Sequence, residues 1–163
     1  METMSYGMIV LTTRRFNDPA GLGYEGYWAL IALAVLAWYE GRGKRGDVRR
    51  TIYSVMVGPA WYKRRVADGI IDFFHVLDYL EFMCADLWKP DGWRACPKDW
   101  RVTEKGYEWL KGKLANLGLA LEDVLGQPSP PDVKNLIDNR IKQIYKEHWA
   151  RIRRYEEATG HAR

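Results

Sequence analysis

The residues with the clearest chemical potential are cations, and they are concentrated in one stretch of the chain. Between 42 and 66 the sequence has eight basic residues and a single acid, Asp47. The basic residues are Arg42, Lys44, Arg45, Arg49, Arg50, Lys63, Arg64 and Arg65. Lys and Arg at this density neutralise phosphates, so the stretch predicts binding to a polyanion. A charge run is also typical of a solvated surface with no partner, and that alternative stays open here.

Acidic residues follow directly after these cations. From 67 to 88 there are five acids and no Lys or Arg, whereas the whole chain has a net charge of +4. The acids are Asp68, Asp72, Asp78, Glu81 and Asp86. Because the charge is segregated along the chain, we expect one surface to attract an anion and its neighbour not to.

No catalytic set of nucleophile, base and orienting group can be assembled from this sequence. It has no G-x-S-x-G, no H-E-x-x-H and no Walker loop. His75, His148 and His161 are scattered and the cysteines lack a C-x-x-C partner, so we expect no metal. The sequence therefore favours a binding protein without a cofactor, and an enzyme with an unrecognised site is the remaining alternative.

Two glycine motifs match G-x-G-x-x-G. A dinucleotide site at residues 21–26 would need a strand that runs directly into the first glycine, and the β-like run Met8–Thr13 ends well upstream. We therefore do not expect one. The second motif, at residues 41–46, is either a flexible cationic loop suited to phosphate or an ordinary helix connector, and both interpretations stay open.

Length and composition predict one domain with a packed core. The chain has 163 residues, of which 47% are hydrophobic. Its longest apolar stretch, Tyr27–Tyr39, is too short to span a bilayer, and no signal peptide or disulfide framework is evident. We expect a cytoplasmic protein with no membrane contact.

Hydrophobic periodicity and capping residues predict the order of the elements. We expect first a buried helix over Tyr27–Glu40, a helix over Asp47–Met56 with Asp47 as N-cap, and a helix from Pro59 to Leu77. A hairpin should follow, with a strand within Asp78–Trp88, a turn at Lys89–Gly92 and a return strand over Arg94–Val102. The chain should end with a helix over Glu104–Leu117 with Thr103 as N-cap, a chain break at Asp123–Pro131 and a last helix over Asp132–Ala158.

Three segments give this order a likeness to a known family. They are the turn Gly58-Pro59, the segment HVLDYLEF at residues 75–82 and the segment RVTEKGYEWL at residues 101–110. The chain resembles winged helix-turn-helix DNA-binding proteins of the transcriptional regulator type. The resemblance implies a mainly α fold with a small β-hairpin wing (α+β) and a long C-terminal helix. It also implies a winged-helix domain at 27–120. Residues 1–26 and the final helix lie outside the resemblance, and their own sequence patterns predict an N-terminal arm or strand and loop at 1–26 and a C-terminal dimerisation element at 127–163.

The resemblance also implies which residues contact DNA. The third helix would enter the major groove and the wing would follow the backbone. The expected contacts are the eight basic residues above, Trp61 and Tyr62 on the third helix, and Lys89, Trp93 and Arg94 at the wing. Two alternatives stay open: Trp61 and Tyr62 pin the third helix to the core, or the wing aromatics form a hydrophobic lid, for which Trp88 and Trp100 are better candidates.

The last helix carries an apolar stripe with near-heptad spacing. Its members are Ile137, Ile141, Ile144, His148, Ile152 and Tyr155. Such a seam predicts a homodimer, in which His148 is a packed interface residue or, alternatively, a pH-sensitive one.

The two cysteines lie on opposite arms of the predicted hairpin. Cys84 and Cys96 are nearly equidistant from the turn, so a disulfide between them is possible, and two small buried apolar side chains are the alternative.

The whole sequence therefore predicts a homodimeric, sequence-specific regulator that binds double-stranded DNA, with any effector unknown. A nucleoid or virion-associated protein that coats DNA without sequence preference is one alternative. A winged-helix adaptor that binds other proteins is the other.

Overall fold

The computed structural model describes residues 19–83 and 92–160, without the side chains of residues 23–25 and 92. The described chain is mainly helical, with one pair of short strands. Its elements are α1 (Gly23–Gly41), α2 (Val48–Tyr53), α3 (Ala60–Val76), β1 (Leu80–Phe82), a 3-10 helix (Gly92–Ala95), β2 (Trp100–Val102), α4 (Glu104–Asn116), α5 (Leu121–Leu125) and α6 (Pro130–Thr159).

Helix α1 is the centre of the core. The residues from Tyr27 to Ala37 are all buried, and the helix packs against α2, α3, α4, α5, α6 and β2. A helix that is apolar on every side must be covered on every side, and this one is. The prediction of a central buried helix is confirmed, with a start at Gly23 rather than Tyr27.

Capping residues set three of the helix starts. The carboxylate of Asp47 accepts from the backbone N–H of Arg50 at α2, and the hydroxyl of Thr103 accepts from that of Gly106 at α4, as predicted. The last helix begins at Pro130 rather than Asp132, with Ser129 as its N-cap. Proline fits the first turn of a helix because the N–H it lacks would have had no partner there.

Strands β1 and β2 form an antiparallel pair in which Leu80 lies opposite Val102 and Phe82 opposite Trp100. The predicted return strand over Arg94–Val102 is wrong over its first six residues. Gly92–Ala95 is a 3-10 helix, and only Trp100–Val102 is a strand. The reason is that Trp93 turns into the core, where it is 2% exposed. Cys84, Trp88 and Lys89 lie outside the described residues.

The segment expected to be a chain break, Asp123–Pro131, overlaps α5 (Leu121–Leu125). The carboxylate of Asp123 accepts a hydrogen bond from the backbone N–H of Ala120 at 2.8 Å, and Val124 is buried in the core. This local cap lets five residues form a helix before the prolines.

The first half of α6 belongs to the same core. Ile137 and Ile141 are fully buried, and α6 packs against α1. The hydroxyl of Tyr27 donates to Oδ1 of Asp138 at 2.6 Å, while Nζ of Lys134 lies 2.7 Å from Oδ2 of the same residue. The expectation that Ile137 and Ile141 form a dimer interface is therefore wrong, because the protomer's own core covers them.

Further along α6 the apolar stripe leaves the core gradually. Ile144 is half-buried and packs against the core, His148 and Ile152 are half-buried, and Tyr155 is exposed. In the part of the chain that the structure describes, no helix is both long enough and apolar enough to span a membrane.

Candidate nucleic-acid interface

The exposed start of α3 is the centre of the candidate interface. Helix α3 follows a turn in which Gly58 has a φ of +124°, and Pro59 is its N-cap, with no side chain that caps the first N–H groups. Trp61, in the first turn, is 66% exposed. The alternative that Trp61 pins the helix to the core is therefore wrong, whereas Tyr62 is half-buried against the core with its ring 6.1 Å from that of Trp61.

Five of the predicted DNA-contacting cations have no acidic partner among the described residues. No carboxylate of a described residue lies within 4.0 Å of their charged groups. Four of them are exposed and Lys63 is half-buried. They are Lys44, Arg50, Lys63, Arg64 and Arg65. We name these five the unpaired cations.

Arg42 is a structural residue. Its guanidinium donates to the carbonyl oxygens of Leu125 at 3.0 Å and Gln127 at 2.9 Å, and it lies 3.8 Å from the centre of the Trp38 ring. Nε1 of Trp38 donates to the same carbonyl of Gln127 at 2.7 Å. Arg42 therefore ties the end of α1 to the segment between α5 and α6, and its expected role as a DNA contact is not supported.

Arg49 and Arg94 are held by acids of α3. Nε of Arg49 lies 2.7 Å from Oδ1 of Asp68, and Arg94 reaches Asp72 at 3.6 Å and Asp68 at 4.0 Å. Trp93 lies under both guanidinium groups, 5.4 Å from that of Arg49 and 4.5 Å from that of Arg94. The acidic residues that follow the basic stretch in sequence thus neutralise part of it in space.

The structure contradicts the predicted DNA contact at Trp93. Its indole Nε1 donates to Oδ1 of Asp72 at 2.6 Å and its side chain is buried. A buried side chain with a satisfied donor offers nothing to a DNA backbone, so Trp93 joins Trp100 as a core residue.

Arg45 belongs to a network around Glu40. Its guanidinium lies 2.8 Å from Oε1 of Glu40, whose Oε2 accepts from the hydroxyl of Tyr107 at 2.7 Å and from the backbone N–H of Val102 at 3.1 Å. Burial raises the pKa of Tyr107, and the hydrogen bond to the Glu40 carboxylate and the charge of that group raise it further. This network joins α1 to β2 and α4.

A shallow cleft brings some of the loop and α2 cations together. It has a volume of about 460 Å³, and Lys44, Arg45 and Arg50 line it with Asp47 and Ser54. The structure thus gathers Lys44 with Arg50, and places Lys63, Arg64 and Arg65 together on α3, which packs against α2.

The sequence analysis did not predict the apolar groove that runs along α3. It has a volume of about 700 Å³ and lies between α1, α3 and α4. Phe73 is 45% exposed and lines it. The available signal was the spacing of Tyr62, Val66, Gly69 and Phe73, which forms a second stripe beside the core stripe of the helix.

Other predicted sites are only partly visible. Cys96 is half-buried, but Cys84 lies outside the described residues, so the disulfide stays a prediction. Within residues 19–83 and 92–160, no group of three His, Cys, Asp or Glu side chains is arranged to hold a metal ion.

Comparisons with known proteins give no match for this chain among family models, curated proteins or solved structures.

Proposed function

We propose that this protein binds double-stranded DNA as a homodimeric, sequence-specific transcriptional regulator of the winged helix-turn-helix type. The observation that carries the proposal is the set of unpaired cations on the loop before α2, on α2 and at the exposed start of α3. Because no carboxylate of a described residue neutralises these cations, their charge is available to an external polyanion.

The order of elements supports this proposal. Helices α1, α2 and α3, the antiparallel strands β1 and β2, and α4 follow one another as in winged helix-turn-helix proteins. In that arrangement α3 enters the major groove and the two strands form the base of the wing. The expected contact at Lys89 stays a prediction.

The exposed side chains suggest a division of roles. Arg64 and Arg65 would read base edges, because a guanidinium can donate two hydrogen bonds to guanine. Lys44, Arg50 and Lys63 would contact phosphates. The first N–H groups of α3 have no side-chain cap, so they would favour a phosphate as well.

The paired arginines would act as positioning residues. Arg49 on α2 and Arg94 on the 3-10 helix both reach acids of α3, so they hold α3 at a defined angle. They would set the geometry of the interface without contacting DNA themselves.

The dimer would form through the last turns of α6. Trp149 is 40% exposed and Tyr155 is 65% exposed, and Ile152 lies between them on the helix. Large apolar side chains on an exposed helix end are typical of an interface between subunits.

A titration of a labelled duplex, chosen from a random pool by repeated selection, tests this proposal. Anisotropy measured over a range of salt should give a slope of log K against log salt of about −2.7 per protomer, if Lys44, Arg50 and Lys63 contact phosphates. The double variant Arg64→Ala/Arg65→Ala should weaken binding to the selected duplex at least tenfold and leave the slope nearly unchanged, because these two arginines would contact bases.

The matched control is Arg153→Ala/Arg154→Ala. These arginines are also adjacent, helical and exposed, but they lie on α6. The control should bind like the unchanged protein, and equal losses in the two double variants would reduce the effect to net charge alone and contradict the proposed interface.

Comparison of the selected duplex with a random one separates the alternatives. A regulator should bind its selected site about 10³-fold more tightly at physiological salt. Tight binding without that difference would identify a DNA-coating protein, and no binding to any duplex would leave the adaptor as the better explanation.

A further inference from the structure

We propose that the groove between α1, α3 and α4 is a binding site for a small aromatic carboxylate. We name it the aromatic groove. Its walls are the side chains of Trp28, Tyr62, Val66, Phe73 and Trp109, with Trp61 and Arg65 at its edge. Its volume of about 700 Å³ falls within the range of about 300–1,000 Å³ typical of small-molecule sites.

Contacts between aromatic rings hold the walls in place. The ring of Trp109 lies 5.4 Å from that of Tyr79 and 6.2 Å from that of Phe74, and the ring of Trp28 lies 4.9 Å from that of Tyr27. These contacts are within the core, so the walls do not need a ligand in order to form. A site whose walls already exist loses little conformational entropy when a ligand binds.

Gly69 keeps the groove open. It lies on α3 between Val66 and Phe73, and a Cβ atom added at this position would meet nothing within 4 Å. Glycine in the middle of a helix lowers stability by roughly 1 kcal/mol relative to alanine, and nothing packs against this one to require its small size. The open volume itself is what the glycine provides.

Two polar groups at the groove have no partner. Trp28 is 7% exposed and its indole Nε1 is buried. Among the described residues, this N–H has no hydrogen-bond acceptor. The guanidinium of Arg65 has no carboxylate within 4.0 Å in the described part of the chain. Buried N–H groups without an acceptor are uncommon in folded proteins.

These groups define the chemistry of the occupant. Flat aromatic walls suit an aromatic ring system, which stacks against indole and phenyl faces. An anionic group would pair with Arg65, which lines the groove. Among the residues that the structure describes, no acid lines the groove to repel an anion.

Binding at this site would affect the proposed DNA interface. Arg65 and Trp61 belong both to the edge of the groove and to the exposed start of α3. A carboxylate on Arg65 would remove a cation from the DNA-binding face, so we expect the ligand to weaken DNA binding. This coupling rests on the proposed function, whereas the ligand site itself does not.

Calorimetry of the full chain with 2-naphthoate tests the site without DNA. We expect one saturable site per protomer, and a shift of the indole N–H resonance of Trp28 on titration. The neutral analogue 2-naphthamide should bind about three- to tenfold more weakly, and so should 2-naphthoate to Arg65→Gln, because each removes the same charge pair. Decanoate should also bind more weakly, since an acyl chain cannot stack.

A blocking variant and its control place the ligand in the groove. Gly69→Leu should abolish binding of 2-naphthoate because its side chain fills the open space. Gly112→Leu is the matched control, because Gly112 also lies within a helix, α4, with nothing within 4 Å of an added Cβ, but outside the groove. The control should bind like the unchanged protein.

The following results would overturn the ligand site. They are no saturable binding of 2-naphthoate, equal binding to Gly69→Leu and Gly112→Leu, or equal affinity for 2-naphthoate and 2-naphthamide. A dimer in sedimentation that Gly69→Leu dissociates would also overturn it, since a second copy would then cover the groove. If 2-naphthoate binds but no duplex does, the groove assignment stands and the DNA proposal fails.

Discussion

Nε of Arg49 on α2 lies 2.7 Å from Oδ1 of Asp68 on α3, so two helices that carry the proposed DNA contacts are joined by an ion pair. The guanidinium of Arg94 reaches the other oxygen of the same carboxylate at 4.0 Å. Asp68 therefore forms ion pairs with two of the cations that the sequence predicts to bind an anion.

Asp68→Asn should strengthen DNA binding and weaken the fold. The change removes a negative charge that neutralises Arg49 and Arg94, so the net charge of this surface rises by one. We expect a two- to fivefold higher affinity at low salt, and a free energy of unfolding lower by about 0.5–1 kcal/mol, since both partners are partly exposed to solvent. Glu157→Gln on α6 is the control for charge; an equal gain in affinity there would contradict the local effect.

Arg42→Ala should mainly lower stability, whereas Lys44→Ala should mainly affect DNA binding. Arg42→Ala removes the hydrogen bonds to the carbonyls of Leu125 and Gln127, so it should lower the free energy of unfolding by about 1–2 kcal/mol with little effect on DNA affinity. Lys44→Ala should change stability by less than about 0.5 kcal/mol and make the salt slope of DNA binding less negative by about 1. Urea denaturation and anisotropy measure the two effects, and the reverse pattern would refute the assignment of Arg42 as structural.

Tyr107→Phe should change how stability depends on pH. Because the pKa of Tyr107 is raised in the folded state, its contribution is complete below about pH 10, the ordinary pKa of tyrosine, and is lost as the pH rises further. Above that pH the wild type should lose up to about 1 kcal/mol per pH unit more than Tyr107→Phe, after allowance for partial exposure. Urea denaturation between about pH 8 and 11 measures this; parallel curves would contradict it.

Gly106→Ala should destabilise the protein, although position 106 lies within helix α4, where alanine is normally more favourable than glycine. An added Cβ would overlap the carbonyl oxygen of Tyr79, which is held in place by a 3.0 Å hydrogen bond from the backbone N–H of Thr103. We expect a loss of about 2–3 kcal/mol. Gly112→Ala on the same helix meets no atom within 4 Å and should instead gain about 0.5–1 kcal/mol, as thermal denaturation would show.

Ile152→Asp should weaken self-association without unfolding the protomer. The side chain is half-buried near the exposed Trp149 and Tyr155, outside the core that covers Ile141. In sedimentation the dimer should dissociate at concentrations at least tenfold higher than for the wild type, with an unchanged circular dichroism spectrum. By contrast, Ile141→Ala should cost about 2–5 kcal/mol of stability because it opens a cavity in the core.

Local features of the sequence predicted the local structure well. Asp47 and Thr103 were identified as N-caps because their side chains satisfy N–H groups only two or three residues away. The burial of α1 followed from its composition, since a helix without a polar face has no side that water favours. Neither inference needs knowledge of the rest of the chain.

The candidate site was less predictable because it depends on distant pairings. Arg49 and Asp68 are 19 residues apart, and only the packing of α2 on α3 brings them together. Trp61 shows the same limit: a tryptophan is usually buried, but the rotation of α3 about its axis turns this one to solvent.

By itself the sequence determined five of the helices, the caps at Asp47 and Thr103, the burial of the central helix and the excess of cations on its C-terminal side. The tertiary structure decided which of these cations are neutralised, which half of the apolar stripe on α6 lies in the core, and that an open groove follows α3. The physical reason is that an apolar stripe on a helix indicates only that something must cover it, and an excess of charge indicates only that an opposite charge would bind it. The identity of that partner depends on which distant residues the packed helices bring within a few ångströms.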